Sequence, residues 1–176
     1  MSFPLDKSQY TLQDIIVHKS FSDVYIAQCL SNKQQLTIKI IKLDLCPINV
    51  DHLQEETAFW RASTNKNVLQ LYGMFVTDNS LWILTEFMAG GSCYDILQFS
   101  FNQGFKDEVV ISTIIHDVVS CLNYMHSNGQ VHKQIRSSNI LISKDGEVKV
   151  ANFGLATSLL EELSSDPNKK KIVGIT

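Results

Sequence analysis

Short apolar runs broken by polar turns make the first third of the chain read as strands. Tyr10 to Ile16 and Val24 to Leu30 are rich in β-forming residues and are separated by a polar turn. Gln35 to Leu43 (QLTIKIIKL) alternates and is rich in isoleucine, and Asn32-Lys33 before it suits a hairpin loop. At Asp51 to Arg61 the period changes. Leu53, Glu56, Thr57 and Trp60 fall on one face of a helix. A carboxylate on an inward face is costly unless paired, so Glu56 calls for a cation across the interface. Val68 to Val76 and Leu81 to Phe87 read as two further strands around the turn residues Asp78-Asn79-Ser80. Gly90-Gly91 then breaks the pattern. Glu108 to His126 carries a helical stripe of Ile111, Ile114, Ile115, Val118, Leu122 and Met125, stopped by Asn128-Gly129. Ile140 to Ile142 and Glu147 to Val150 flank Asp145-Gly146, a hairpin turn.

This order predicts an α+β chain with two lobes and a hinge near Phe87 to Gly91. After Gly154 the chain turns polar, and Lys169 to Lys171 read as a solvated stretch of a mobile loop.

Composition narrows the picture. With 176 residues, 44% hydrophobic and 19% charged, the chain has enough apolar side chains for a core. The net charge of -3 offers no field to hold a nucleic-acid backbone. No apolar run has the length of a membrane span, and Met1 to Tyr10 lacks the apolar core of a signal peptide. A cytosolic or nuclear location follows as the expectation. Cys29, Cys46, Cys93 and Cys121 are widely spaced, which predicts reduced thiols and no structural zinc.

Four sequence elements carry a family resemblance. Leu36-Thr37-Ile38-Lys39 resembles the V-A-I-K strand of protein kinases, and Glu56 its partner on the following helix. Val131-His132-Lys133-Gln134-Ile135-Arg136-Ser137-Ser138-Asn139 resembles the catalytic loop H-R-D-x-x-x-x-N. Asn152-Phe153-Gly154 resembles D-F-G. The implied fold is bilobal and kinase-like. It has a complete N-lobe, with a five-stranded antiparallel sheet plus one helix, and the first part of a helical C-lobe. The implied organisation is an extension over residues 1–9, an N-lobe over 10–88 and a partial C-lobe over 89–176 ending in the activation segment. A fragment, a truncated isoform or an incomplete gene model is the corresponding expectation. Within kinases the chain resembles the sterile-20-type (germinal-centre) group and, through Phe87 to Ser92, Ile140 to Gly146 and the altered catalytic loop, the STRAD adaptor pseudokinases.

The resemblance assigns chemistry residue by residue. The glycine positions of the phosphate-cradling loop fall at Val17, Lys19 and Ser22, and the following valine at Val24. Without glycine, side chains crowd the phosphates or hold the loop differently. Lys39 and Glu56 would form the family's ion pair over the phosphates, which is also a plain structural salt bridge. Thr85 to Met88, with Glu86 and Met88, would bind adenine through the backbone. Gln134 stands at the catalytic aspartate, and a neutral amide is no general base. Arg136 replaces the loop lysine with a different donor geometry. Asn139 is kept and suits a metal. Asn152 stands where an aspartate holds magnesium, a hard cation that prefers carboxylate oxygen. His132, Phe153 and Trp60 would stack in an apolar spine.

Losses therefore fall on cradle, base and metal together. The resemblance implies a pseudokinase that binds ATP without turnover, with magnesium weak or absent. Its partners would be a Ser/Thr protein kinase and a helical-repeat scaffold, with no nucleic acid and no membrane. An active sterile-20-type kinase and a truncated product without a role remain the alternatives.

Overall fold

A computed structural model of the chain describes residues 3–45, 57–153 and the short strand at 157–158. The chain folds into two compact units. The first is Met1–Ala62 with Gln70–Phe87, and the second is Ser63–Leu69 with Met88–Thr176.

The first unit is built on a five-stranded antiparallel sheet, as the kinase resemblance implies. Its strands are β1 (Tyr10–His18), β2 (Ser22–Cys29), β3 (Gln35–Lys42), β4 (Leu71–Thr77) and β5 (Ser80–Glu86), in the order β1-β2-β3-β5-β4. The central strand β3 turns Leu36 and Ile38 into the core with Leu84, Ala27 and Cys29, all at 0% exposure. Isoleucine and leucine suit this pleated, half-buried surface. On the alternate positions of β3 sits Lys39. β1 is an edge strand with two register irregularities before Val17, which bend it on the way to its hairpin. Residues 57–62 form a helical segment, α1, that buries Thr57 and Trp60. The rest of the helix expected from Asp51, including Leu53 and Glu56, lies outside the described residues.

Phe3 belongs to this unit's core although residues 1–9 read as an extension. It stacks on Tyr72 with ring centroids 4.2 Å apart, and Tyr10 donates its hydroxyl to the carbonyl of Pro4 at 2.5 Å. Aromatic stacking of this kind gives an otherwise polar terminus its anchor.

Among its described residues, the second unit combines two helices with short strands. β6 (Gly91–Ser92) leads into α2 (Cys93–Phe99), and α3 spans Glu108–Ser127. Then come β7 (Gln130–Val131), β8 (Ile140–Ile142), β9 (Val148–Val150) and β10 (Thr157–Ser158). β6, β8 and β9 form one small sheet, and β7 pairs with β10. Gly90 is required where its N–H meets the carbonyl of Ile142, because a Cβ there would lie 2.7 Å from that oxygen. Gly146, at φ +84, closes the β8–β9 hairpin in a conformation that side chains resist.

Three sequence expectations shift. The strand read from Val68 starts at Leu71, because Leu69 donates its N–H to Val150 and Val150 donates to Asn67, tying 67–69 to β9. Ser63–Leu69 thus join the second unit, where the sequence suggests one boundary after residue 88. The stripe on α3 is buried at Val118 and Met125, with Cys121 added, whereas Ile115 is 56% exposed. α2 was not expected from the sequence. Its N-terminus is a full capping box between Ser92 and Asp95, which explains how seven residues hold a helix.

Candidate functional site

In the first unit, strand pairing aligns the predicted nucleotide-contacting residues. Val17 pairs with Val24, Val24 with Lys39, and Lys39 with Ile83, so the four form one row across the sheet. Directly opposed residues share a face. Lys39, a half-buried residue, is therefore flanked by apolar residues on both neighbouring strands. The Lys39–Glu56 pairing lies outside the described residues.

The β1–β2 hairpin departs from an open phosphate cradle. Lys19 donates its backbone N–H to the carbonyl of Ser22 at 2.9 Å, and His18 Nδ1 lies 2.6 Å from Asp23 Oδ1. That N–H is used inside the loop, and no glycine lets a phosphate approach the backbone closely. At the end of β5, Glu86 donates its backbone N–H to the carbonyl of Gln70 at 3.1 Å, and its carboxylate accepts the Gln70 N–H at 2.5 Å. Met88, in the second unit, is buried, and its carbonyl accepts from Gly91 N–H at 3.0 Å.

The second unit gathers the remaining candidates. His132 is 1% exposed. Its Nδ1 accepts the backbone N–H of Gln134 at 3.2 Å, so the ring proton sits on Nε2 and is donated to the carbonyl of Ala151 at 3.0 Å. The two partners fix the neutral tautomer. Burial holds the imidazole below its ordinary pKa, against the raising effect of the Ala151 bond. Phe153 meets His132 edge-on with centroids 5.2 Å apart. This packed, neutral histidine has the structural role that its motif position implies.

Gln134 joins the two asparagines. Its backbone carbonyl accepts from Asn139 Nδ2 at 2.7 Å, and its side-chain Oε1 accepts from Asn152 Nδ2 at 2.8 Å. Asn139 in turn accepts the Ala151 N–H on its own carbonyl at 2.8 Å. Asn152 adopts φ +69, a left-handed conformation that asparagine tolerates better than most residues. Arg136 is exposed and precedes a 3-10 turn, Ser137–Asn139, that carries Asn139 inward.

The resulting centre is a set of neutral amides. Among the described residues no cluster of three or more His, Cys, Asp or Glu side chains could hold a metal. Magnesium, which the kinase family generally uses with ATP, takes hard, preferably charged oxygen, and these amides do not fit it. For ATP itself the fit is divided: the row around Lys39 suits a nucleotide, and the closed hairpin does not suit its phosphates.

Sequence reading named Gln134, Asn139 and Asn152 separately and missed that Gln134 and Asn152 bond to each other. The available signal was the simultaneous exchange of two carboxylate positions for complementary amides.

Comparison with known proteins agrees with this layout. The protein kinase domain family matches residues 10–174. The chain is 32% identical over 174 residues to the serine/threonine-protein kinase fray2 of Dictyostelium discoideum, covering 98% of this chain and 17% of that protein. It is 31% identical over 178 residues to germinal center kinase 3 of Caenorhabditis elegans, covering 97% of this chain and 30% of that protein. Serine/threonine-protein kinase sid1 of Schizosaccharomyces pombe is 35% identical over 158 residues, 89% of this chain and 33% of its own length. The chain thus spans a minor part of these relatives. By its family match, its sheet and its loop motifs, the chain belongs to the protein kinase domain family.

Proposed function

We propose that the chain acts as a pseudokinase adaptor of the sterile-20-type group, similar to the STRAD adaptors. It binds another Ser/Thr kinase and raises that kinase's activity, with a helical-repeat scaffold as a further partner, in the cytosol or nucleus. It holds ATP as a ligand and leaves it intact.

One observation carries this reading. Gln134 Oε1 accepts a hydrogen bond from Asn152 Nδ2 at 2.8 Å. Phosphoryl transfer needs a group to accept the substrate's hydroxyl proton and a charged holder for the metal ions. Here both positions are uncharged and hydrogen-bonded to each other. The row of Val17, Val24 and Lys39 supports nucleotide contact. A stabilising ligand that binds the folded state raises its stability without chemistry.

A second reading, a weakly active Ser/Thr kinase, is favoured by the names of the relatives and by the presence of Lys39 and Asn139. A radiolabelled-phosphate assay of the purified chain with magnesium and manganese separates the two. The adaptor reading expects no transfer above the Lys39→Ala background, and a candidate kinase that co-purifies with the chain and gains activity. Phosphate transfer that disappears in Lys39→Ala would sink it.

A further inference from the structure

We infer that Gln134 and Asn152 form a metal-independent latch, in which a direct amide–amide hydrogen bond holds residues 151–153 to the loop of residues 132–139. The inference rests on the adaptor reading's neutral centre and adds a mechanical role to it.

Three successive residues of the short segment are gripped by three members of the loop. Ala151 gives its N–H to the carbonyl of Asn139 and accepts from His132 Nε2. Asn152 gives its side-chain amide to Gln134 Oε1. Phe153, 1% exposed, packs its ring against His132. The Gln134 contact sits between two left-handed residues, Asn152 at φ +69 and its own neighbour Lys133 at φ +63. A side-chain bond at Asn152 offsets the cost of its left-handed backbone.

Complementarity is the core of the argument. Carboxylates at both positions would repel at this separation and would need a cation between them. An amide carries both donor and acceptor, so two amides close the same gap with no third body. The bond also completes a circuit through Asn139 and His132, and such networks gain when every member is satisfied. Gln134 is thus a positioning residue acting on Asn152.

The test uses the full chain and thermal unfolding with and without millimolar magnesium or manganese. The latch expects no metal-dependent rise in melting temperature for the unmodified protein. Gln134→Met and Asn152→Gly, which keeps the left-handed backbone, should each lower the folding equilibrium roughly tenfold, with the double variant little worse than either single one. Gln134→Glu keeps an acceptor for Asn152 Nδ2 and should restore stability, which guards against a variant that merely misfolds. The pair Gln134→Glu/Asn152→Asp should be destabilised and then rescued by magnesium. Magnesium stabilisation of the unmodified protein, or additive effects of the two single variants, would overturn the latch. Metal stabilisation without phosphate transfer overturns the latch and leaves the adaptor reading standing. Lys39-dependent transfer with a metal-insensitive melting curve does the reverse.

Discussion

Val17, Val24 and Lys39 owe their alignment to strand register, whereas Gln134, Asn139 and Asn152 owe theirs to side-chain hydrogen bonds. In the first unit the backbone ladder carries a row of side chains across β1, β2 and β3, over a core of fully buried aliphatic residues. Register is set by the whole sheet, so exchanging one row member leaves its neighbours in place. In the second unit position depends on the identity of each amide and on one histidine tautomer. Replacing one member takes a hydrogen bond from its neighbour, and where that neighbour is as buried as His132 or Asn139 the cost exceeds the net worth of the bond lost. The first arrangement therefore tolerates drift in the glycine loop, and the second has little tolerance at its centre.

The sharpest way to break this contrast is to remove the apolar support of the amide circuit. Phe153→Ala deletes a ring that is 1% exposed and in contact with His132. The expected loss is about 3–5 kcal/mol in the second unit. Native-state hydrogen exchange should accelerate at the amides of Gln134, Asn139 and Ala151. In the first unit, Leu84→Ala should cost about 2–5 kcal/mol. Trp60 and Trp82, the chain's two tryptophans, both lie there, so their fluorescence reads that loss. If Phe153→Ala left exchange over residues 132–152 unchanged, the circuit would not depend on its packing and the comparison would fail.

Acid offers a smaller and reversible cut. Burial holds His132 below its ordinary value of 6.5, so the unfolded chain takes up the proton first. The stabilisation is complete above pH 6.5 and is lost as the pH falls through the lowered folded pKa. Protonation also removes the Nδ1 acceptor used by the Gln134 N–H. Within that window the slope should approach about 1.4 kcal/mol per pH unit from this one group. Denaturant midpoints of the unmodified protein and of His132→Phe, measured from neutral pH into mild acid, should converge as the pH falls. Parallel curves would mean that His132 is not the titrating group.

The contrast also explains what could be read from the sequence. Alternation in Gln35 to Leu43 and the Asp78-Asn79-Ser80 turn located β3, β4 and β5, because period and turn chemistry are local properties. The placement of Lys39 beside Val24 follows once the register is set. The capping box at Ser92 and Asp95 was also written in the chain, and it was missed because α2 is short and carries no long apolar stripe. Val68 misled the strand boundary because its partner is Val150, far along the chain. The Gln134–Asn152 bond joins residues 18 apart, through backbone geometry that includes a left-handed asparagine. Residue types show two complementary amides and not the distant backbone geometry that brings them together. They announced the lost charges and left the replacement contact unseen.

The weakest effect should come from the hairpin beside Val17. His18 and Asp23 are a cross-strand pair with Nδ1 and Oδ1 2.6 Å apart, and the histidine side chain is 74% exposed. An exposed pair of this kind is worth about 0–1 kcal/mol, less at high salt. The same hairpin is closed by the Lys19-to-Ser22 backbone bond and by the Val17–Val24 pairing. If register rules this unit, His18→Ala should change stability by less than about 1 kcal/mol and leave any ATP-induced rise in melting temperature intact. Deleting Ser20 should abolish that rise, because shortening the loop moves Val17 out of the row shared with Val24 and Lys39. A loss well above about 1 kcal/mol from His18→Ala would mean that a side-chain pair sets the hairpin. The first unit would then depend on side-chain identity in the same way as the second.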